Sequence, residues 1–281
     1  MSEAPEPKSR SRLLVVLDAK SPERYSEHSG VVQRALSRAC RDGAAMLLLQ
    51  ICYESSLTYG AFASRHEIDT ARTAIIDSEN AKMAELQAHL ESESGLPVEH
   101  QVCWESDRCA AILRAAKSWQ ADIIFKEKGE RSYVLGLFSN TDWDLLRESP
   151  VPVWFVASGS GRGPENGVVA AVDPLGDDPD SEQHFMLDHA VFEHAKLVSD
   201  LYEAPLSVVH AYHLPRGVMG FQGYAPIYPA GTLAGASPVA TTPQMEQANQ
   251  EAREALARRH GEAIQTFVDQ HGIPLDDLEV L

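Results

Sequence analysis

Short, largely apolar runs alternate with longer mixed segments along the first 157 residues. Such runs predict strands that are buried on both faces, because the positions on either side of each apolar residue are apolar as well. A further strand is predicted after the turn formed by Gly95 and Pro97. The predicted strands are Leu13–Leu17, Ala44–Cys52, Val98–Trp104, Ala121–Phe125 and Val151–Val156.

Helices are predicted between these strands. Gly43 is expected to end the first helix, since glycine readily takes the left-handed conformation that closes a helix. The predicted helices are Ser29–Arg41, His66–Ser94, Cys109–Trp119 and a short one from Thr141 that Pro150 stops. Strands that alternate with helices indicate an α/β fold with a parallel sheet covered on both faces, and right-handed crossovers favour a flavodoxin-like order.

The same pattern starts again after a glycine-rich linker at residues 158–166. Val168–Val172 ends in Asp173 as the first strand ends in Asp18, and Leu206–Tyr212 repeats the second strand. The repetition predicts two tandem domains. The expected boundaries are a disordered leader at 1–11, a first domain at 12–157 and a second at 167–281.

The second repeat is shorter than the first. Its last segment, Leu275–Leu281, has room for one short strand. We therefore expect the second domain to lack its last two strands, and its first strand to lie at an open edge of the sheet. Either the chain is a fragment of a longer protein or a partner covers this edge, and a natural short form remains an alternative.

The segment Phe125–Pro150 leads from a strand through a loop into a helix. Thr141 is expected to cap that helix, with Asp144 three residues later as in a capping box. A strand–loop–helix of this kind points backbone N–H groups at the loop, where α/β folds hold phosphate. The geometry suits an anion, but the loop is poor in glycine.

At this segment the sequence resembles the universal stress proteins, in particular their tandem E-type members. Family members that bind ATP carry G-x2-G-x9-G-[ST] in this loop, and in register the motif falls on Lys126, Gly129, Ser139 and Asn140, so that one glycine remains. The stretch TDWDLLRESPVPVWFV looks like the group's characteristic helix and last strand. The resemblance implies an adenine nucleotide alpha hydrolase-like fold and a role in stress resistance.

Lys126, Gly129, Ser139, Asn140 and Thr141 form the candidate anion loop. Lys126 could bind an anion through its ammonium group, with the helix N-terminus adding a second contact. The alternative is that Lys126 reaches solvent or pairs with an acid, and that Thr141 does no more than cap the helix. On either interpretation, the first domain is expected to bind ATP poorly or not at all.

Asp18 and Asp173 follow the first strand of each repeat, at the sheet edge where open α/β folds bind ligands. The resemblance implies that they line a nucleotide pocket; the alternative is that each accepts hydrogen bonds from the next loop. His210 lies near the same edge of the second domain and is a further candidate because of its location, and the alternative is a structural histidine. The segment Leu214–Pro243, rich in Gly and Pro but carrying large apolar residues, is a candidate lid over an apolar ligand or a surface that packs against the other half. The alternative is an ordered loop without a function of its own.

No metal site is predicted. His184, His189 and His194 are spaced in steps of five, so a helix would not place them on one face. The four cysteines lack metal-binding spacing and are expected to be buried, reduced thiols. No catalytic constellation is apparent.

The formal net charge of −17 argues against binding to nucleic acid or to anionic membranes. The polar N-terminus lacks the apolar region of a secretory signal, which predicts a cytoplasmic protein. The sequence therefore favours a non-enzymatic stress protein without a cofactor, with ATP left open as a ligand. The two halves are expected to pack as a pseudo-dimer, and a homodimer stays open. The alternatives are an ATP-binding protein or slow ATPase, and a carrier of a small amphipathic ligand.

Overall fold

The structure is a computed structural model, and it describes residues 10–17, 25–58, 64–128, 140–157, 167–175, 181–212, 243–271 and 279–280. The chain divides into two compact units between Gly163 and Pro164. Each unit has a sheet and a hydrophobic core of its own.

The first unit contains a parallel sheet of five strands. They are β1 (Arg12–Leu17), β2 (Ala45–Cys52), β3 (Val98–Trp104), β4 (Ile123–Glu127) and β5 (Val153–Val156). The α/β fold class expected from the sequence is confirmed, and β3 has the predicted bounds. Within that class the strand order is β3-β2-β1-β4-β5.

This order places the reversal of winding between β1 and β4. The order of flavodoxin itself, 2-1-3-4-5, would instead insert β3 beside β1. Ligands in open α/β sheets bind where the winding reverses, at the carboxyl ends of the strands. The carboxyl ends of β1 and β4 are therefore the place to look for a site.

In the part of the first unit that the structure describes, five helices connect the strands. Gly43 and Gly95 take left-handed conformations with φ of 63° and 68°, and so close two of the helices. Ser64 and Glu67 form a capping box at the start of the longest. The helices are α1 (Gly30–Asp42), α2 (Ser55–Thr58), α3 (Arg65–Ser94), α4 (Arg108–Trp119) and α5 (Asn140–Glu148).

Helices cover both faces of this sheet, as the apolar strands predict. On one face, alternate residues of β1 such as Leu13 and Val15 pack with apolar side chains of α1 and α3. On the other, Leu14 and Val16 belong to a cluster that includes Ile112 of α4 and Leu145 of α5. The two cores hold the carboxyl ends of the central strands in fixed positions.

The second unit contains a smaller parallel sheet of three strands in the order β6-β7-β8. The strands are β6 (Val168–Ala171), β7 (Leu206–Val209) and β8 (Glu279–Val280), and the helices are α6 (Ser181–Tyr202) and α7 (Pro243–Gln270). The hydrophobic core of the second unit includes Phe192 and Phe267, whose rings meet edge to face with their centroids 5.7 Å apart. Strand β7 ends at Val209, so it is shorter than the run Leu206–Tyr212 predicted from the sequence.

None of the helices in the described residues is both long enough and apolar enough to cross a bilayer.

Candidate functional site

Lys126 lies inside strand β4 rather than in the loop that follows it. Its backbone aligns with Val16 of β1 and Phe155 of β5, in the middle of the sheet. The prediction that the strand ends at Phe125 is wrong by two residues, because the ladder with β1 and β5 continues past the apolar run. The Lys126 side chain therefore begins at the switch point, the place between β1 and β4 where the winding of the sheet reverses.

The Lys126 ammonium group forms a buried ion pair with the carboxylate of Asp142. Nζ lies 2.7 Å from Oδ1, and the two side chains are only 6% and 0% exposed. Nζ also donates a hydrogen bond of 2.8 Å to the carbonyl oxygen of Glu127. A charge removed from water in this way is held only if a partner matches it. Of the two interpretations of Lys126, the geometry favours pairing with an acid.

Asp142 is the residue that the sequence reasoning missed, and it lies in the first turn of α5. The sequence predicts Thr141 as the cap that precedes this helix. That prediction is wrong, because the helix begins at Asn140 and Thr141 is its second residue. The short TDWD motif offers two acids near the helix start, Asp142 and Asp144, and only the fold selects Asp142.

The position of Asp142 matters because helix N-termini favour negative charge. Free N–H groups and the helix dipole make the first turn a place for phosphate or carboxylate groups. Here a carboxylate of the chain itself lies in that turn, and a buried lysine balances it. The arrangement supplies from within the protein the charges that a phosphate and its counter-cation would bring.

Three of the predicted site residues, Asp18, Gly129 and Ser139, lie outside the described residues, as do residues 214–242 of the predicted lid. Asn140 is the first residue of α5 and is exposed. Ligand binding by Lys126, Asn140 and Thr141 remains a prediction.

The structure brings Asp173 and His210 together at the carboxyl ends of β6 and β7. Nδ1 of His210 lies 3.6 Å from Oδ1 of Asp173, and the His210 side chain is 4% exposed whereas that of Asp173 is 66% exposed. The backbone N–H of Asp173 donates a hydrogen bond of 3.0 Å to Asp188 of α6. The loop is thus held by its main chain, while the Asp173 carboxylate faces solvent.

His210 is one member of a chain of hydrogen bonds that the sequence did not indicate. Its Nδ1 lies 3.0 Å from the carbonyl oxygen of Val172 and its Nε2 lies 2.6 Å from Nδ1 of His260 in α7. A carbonyl oxygen only accepts, so Nδ1 of His210 carries a proton. In the neutral ring Nε2 then accepts from His260, whose ring stacks on Tyr212 at 4.1 Å. Fifty residues of sequence separate the two histidines, which hides the pair from pattern analysis.

The cysteines are all free thiols, and three of the four are buried or half-buried. Cys40 is exposed, so the expectation that all four are buried is wrong at that position. Burial raises the pKa of Cys109 to about 11, with smaller contributions from Glu148, Asp144 and Asp107. Burial also raises the pKa of Cys103.

Solved structures with the same architecture cover nearly the whole chain. A protein of unknown function from Pseudomonas aeruginosa PAO1 aligns with 97% of this chain and 73% of its own, at a TM-score of 0.59 and 18% identity. A structure described as a universal stress protein of Pseudomonas aeruginosa UCBPP-PA14 aligns with 97% of this chain and 74% of its own, at a TM-score of 0.57 and 18% identity. At this identity the likeness shows the fold alone.

Sequence relatives match about half of the chain. Universal stress protein E of Escherichia coli K12 is 28% identical over 145 residues, which is 51% of this chain and 44% of the relative. Universal stress protein E of Photorhabdus laumondii is 27% identical with the same coverage. The matched region is thus less than half the length of these relatives.

The resemblance seen at the loop and helix around Lys126 extends over the whole first unit. The family model described as the universal stress protein family matches residues 10–157, from just before β1 to just after β5. This match covers more than half of the chain, and the chain belongs to the universal stress protein family.

Proposed function

We propose that this chain is a non-enzymatic, cytoplasmic stress-response protein whose first unit does not hold a nucleoside triphosphate. Membership of the universal stress protein family supports the stress-response role. Four free cysteines support a reducing compartment such as the cytoplasm.

The observation that carries the proposal is the buried Lys126–Asp142 ion pair at the switch point. A triphosphate seated there would have to displace the Asp142 carboxylate from the first turn of α5 or lie against it. Two anions in one turn repel each other, and the Lys126 ammonium is already matched. Three of the four positions of the family's ATP motif no longer carry the motif residue, which agrees with this, since a bulky residue such as Lys126 keeps the backbone away from the phosphates.

We place the ligand-binding function in the second unit, around Asp173 and His210. A solvent-facing carboxylate lies there beside the buried His210, at the edge where such sheets bind ligands. Both ring nitrogens of His210 are hydrogen-bonded within the protein, so Asp173 is the polar group that a ligand would contact. The exposed ring of Tyr212 offers a flat apolar surface beside them. These groups suit a small molecule with a hydrogen-bond donor and a planar part.

Release of inorganic phosphate tests the non-enzymatic assignment. The full chain is incubated with saturating Mg-ATP, and the matched control is the variant Lys126→Met with Asp142→Leu, which replaces the ion pair by apolar side chains. We expect the wild-type rate to equal that of the control and of the protein-free background. Phosphate release by the wild type that the double variant lacks would overturn the proposal in favour of a slow ATPase.

A further inference from the structure

We propose that the second unit carries a binding site for a divalent cation of the zinc type, formed by His189, Glu193 and His271. The site lies between the middle of α6 and the end of α7, apart from Asp173 and His210 in sequence and in its contacts. The ligand atoms that these three side chains offer lie within 4.8 Å of one another. This inference is independent of the proposed function.

Two of the three ligands come from one face of a helix. His189 and Glu193 are four residues apart on α6, and residues at this spacing are neighbours on the helix surface. This spacing is the one by which helices present pairs of metal ligands. The steps of five between His184, His189 and His194 conceal this pair, because the second ligand on the helix is a glutamate and not a histidine.

The third ligand, His271, is held with one nitrogen directed at the pair. Its Nδ1 donates a hydrogen bond of 2.8 Å to the carbonyl oxygen of Phe267. The rings of Phe192 and Phe267 each lie 4.5 Å from the His271 ring and fix its plane. A histidine that ligates a metal typically donates its other N–H to a carbonyl or carboxylate in this way, which fixes its tautomer.

The second ring nitrogen of His271 already points at His189. Nε2 of His271 lies 2.6 Å from Nδ1 of His189, in a hydrogen bond whose donor is His189 because Nε2 of the neutral His271 ring is an acceptor. Tetrahedral ligands on Zn²⁺, with bonds of about 2.0–2.1 Å, lie roughly 3.3 Å apart. For both nitrogens to ligate one ion, the proton on Nδ1 of His189 moves to its Nε2 and the two nitrogens separate by less than an ångström. His189 and Glu193 are both exposed, so their side chains are free to make this adjustment.

The donor set selects the class of ion. Two imidazole nitrogens with one carboxylate form the three-ligand set of zinc sites that keep a fourth position for water. Calcium and magnesium prefer oxygen ligands throughout, so two histidines disfavour them.

The other histidine pair of the second unit does not offer an equivalent site. Both ring nitrogens of His210 are engaged, one with the Val172 carbonyl and the other with His260. The nearest carboxylate of the pair, Asp173, faces Nδ1 rather than a free nitrogen. A metal would have to replace the hydrogen bond between the two histidines at either pair, but His210 is buried, with the Asp173 carboxylate on its Nδ1 side, whereas the exposed His189 and Glu193 can move to meet an ion.

The full chain is first treated with a chelator to remove bound metal. Titration with Zn²⁺, followed by calorimetry, and with Co²⁺, followed by visible absorption, then tests the site. We expect one ion per chain, with the stronger visible absorption of four- or five-coordinate cobalt. His189→Gln and Glu193→Gln should each weaken binding at least about tenfold, the size of effect seen even when only a supporting contact to a metal site is lost. Both positions are exposed on α6, so these variants should keep the wild-type circular dichroism spectrum.

His194→Gln is the matched control, because His194 is an exposed histidine on the same helix next to Glu193. It should bind Zn²⁺ with wild-type affinity. His260→Gln should do the same and so separates this site from the other histidine pair. The proposal is overturned if the wild type shows no one-to-one binding. Equal affinities in Glu193→Gln, His194→Gln and the wild type would overturn it as well.

Discussion

Lys126 illustrates what one residue reveals in the sequence and what it conceals. Its position in register with the family motif already indicated that a bulky, charged side chain replaces a small one. The partner was not predictable, because Asp142 lies sixteen residues further on and is one of two acids near the start of α5. Only the neighbourhood of the end of β4 and the first turn of α5 selects it.

Removal of one member of the Lys126–Asp142 pair is expected to destabilise the first unit, whereas replacement of both members should cost little stability. Lys126→Met should lower the free energy of unfolding of the first unit by about 3–5 kcal/mol, because it leaves a buried carboxylate uncompensated. Adding Asp142→Leu should restore most of that loss. Urea unfolding followed by tryptophan fluorescence measures this, since all four tryptophans, Trp104, Trp119, Trp143 and Trp154, lie in the first unit. A double variant as unstable as Lys126→Met would contradict the account.

The thiol of Cys109 should make the protein less stable at alkaline pH. Burial raises its pKa to about 11 in the folded state, so the folded protein holds this proton more tightly than the unfolded chain does. The contribution is complete below the ordinary thiol pKa and is lost as the pH rises towards 11. Cys109→Ala should remove this part of the pH dependence in urea unfolding, and an unchanged slope would contradict the assignment.

At the scale of the elements, glycines and apolar runs predicted which helices and strands form better than they predicted the exact ends. Gly43 and Gly95 were expected to stop helices, and both do so in left-handed conformations. The bounds of β3 agree with the sequence, whereas β4 extends to Lys126 and Glu127 because neighbouring strands pair with these polar residues. An apolar run marks where a strand is buried, but the pairing partners decide where it ends.

Two glycines should respond to alanine with opposite signs. Gly43 has φ of 63°, and a methyl group on its Cα would meet no other atom within 4 Å, so Gly43→Ala should lower the free energy of unfolding through backbone strain alone. The expected loss is about 1 kcal/mol. Gly261 lies inside α7 with the same open space, so Gly261→Ala should raise the free energy of unfolding by roughly 0.5–1 kcal/mol. Tryptophan fluorescence reports the first change, and thermal melting of helical circular dichroism the second. Two changes of the same sign would contradict this.

At the scale of the whole molecule, the sequence predicted two repeated units but not the long-range contacts between side chains within them. The recurrence of a strand followed by an aspartate, at Asp18 and Asp173, indicated two similar units from the sequence alone. The pairs His210–His260 and His189–His271 join residues 50 and 82 positions apart, and no local pattern records them. Long-range polar contacts of this kind depend on how helices return to a sheet, which periodicity does not encode. Ligand binding at Asp18, Gly129 and Ser139 stays a prediction.

Calorimetric titration of the full chain with Mg-ATP tests most directly whether the internal ion pair has replaced a phosphate site. The matched control is the variant Lys126→Met with Asp142→Leu, which removes both charges of the ion pair. The account predicts that the wild type shows no saturable micromolar binding that the double variant lacks. One-to-one micromolar binding to the wild type that the double variant loses would contradict it, since Lys126 would then be serving the nucleotide.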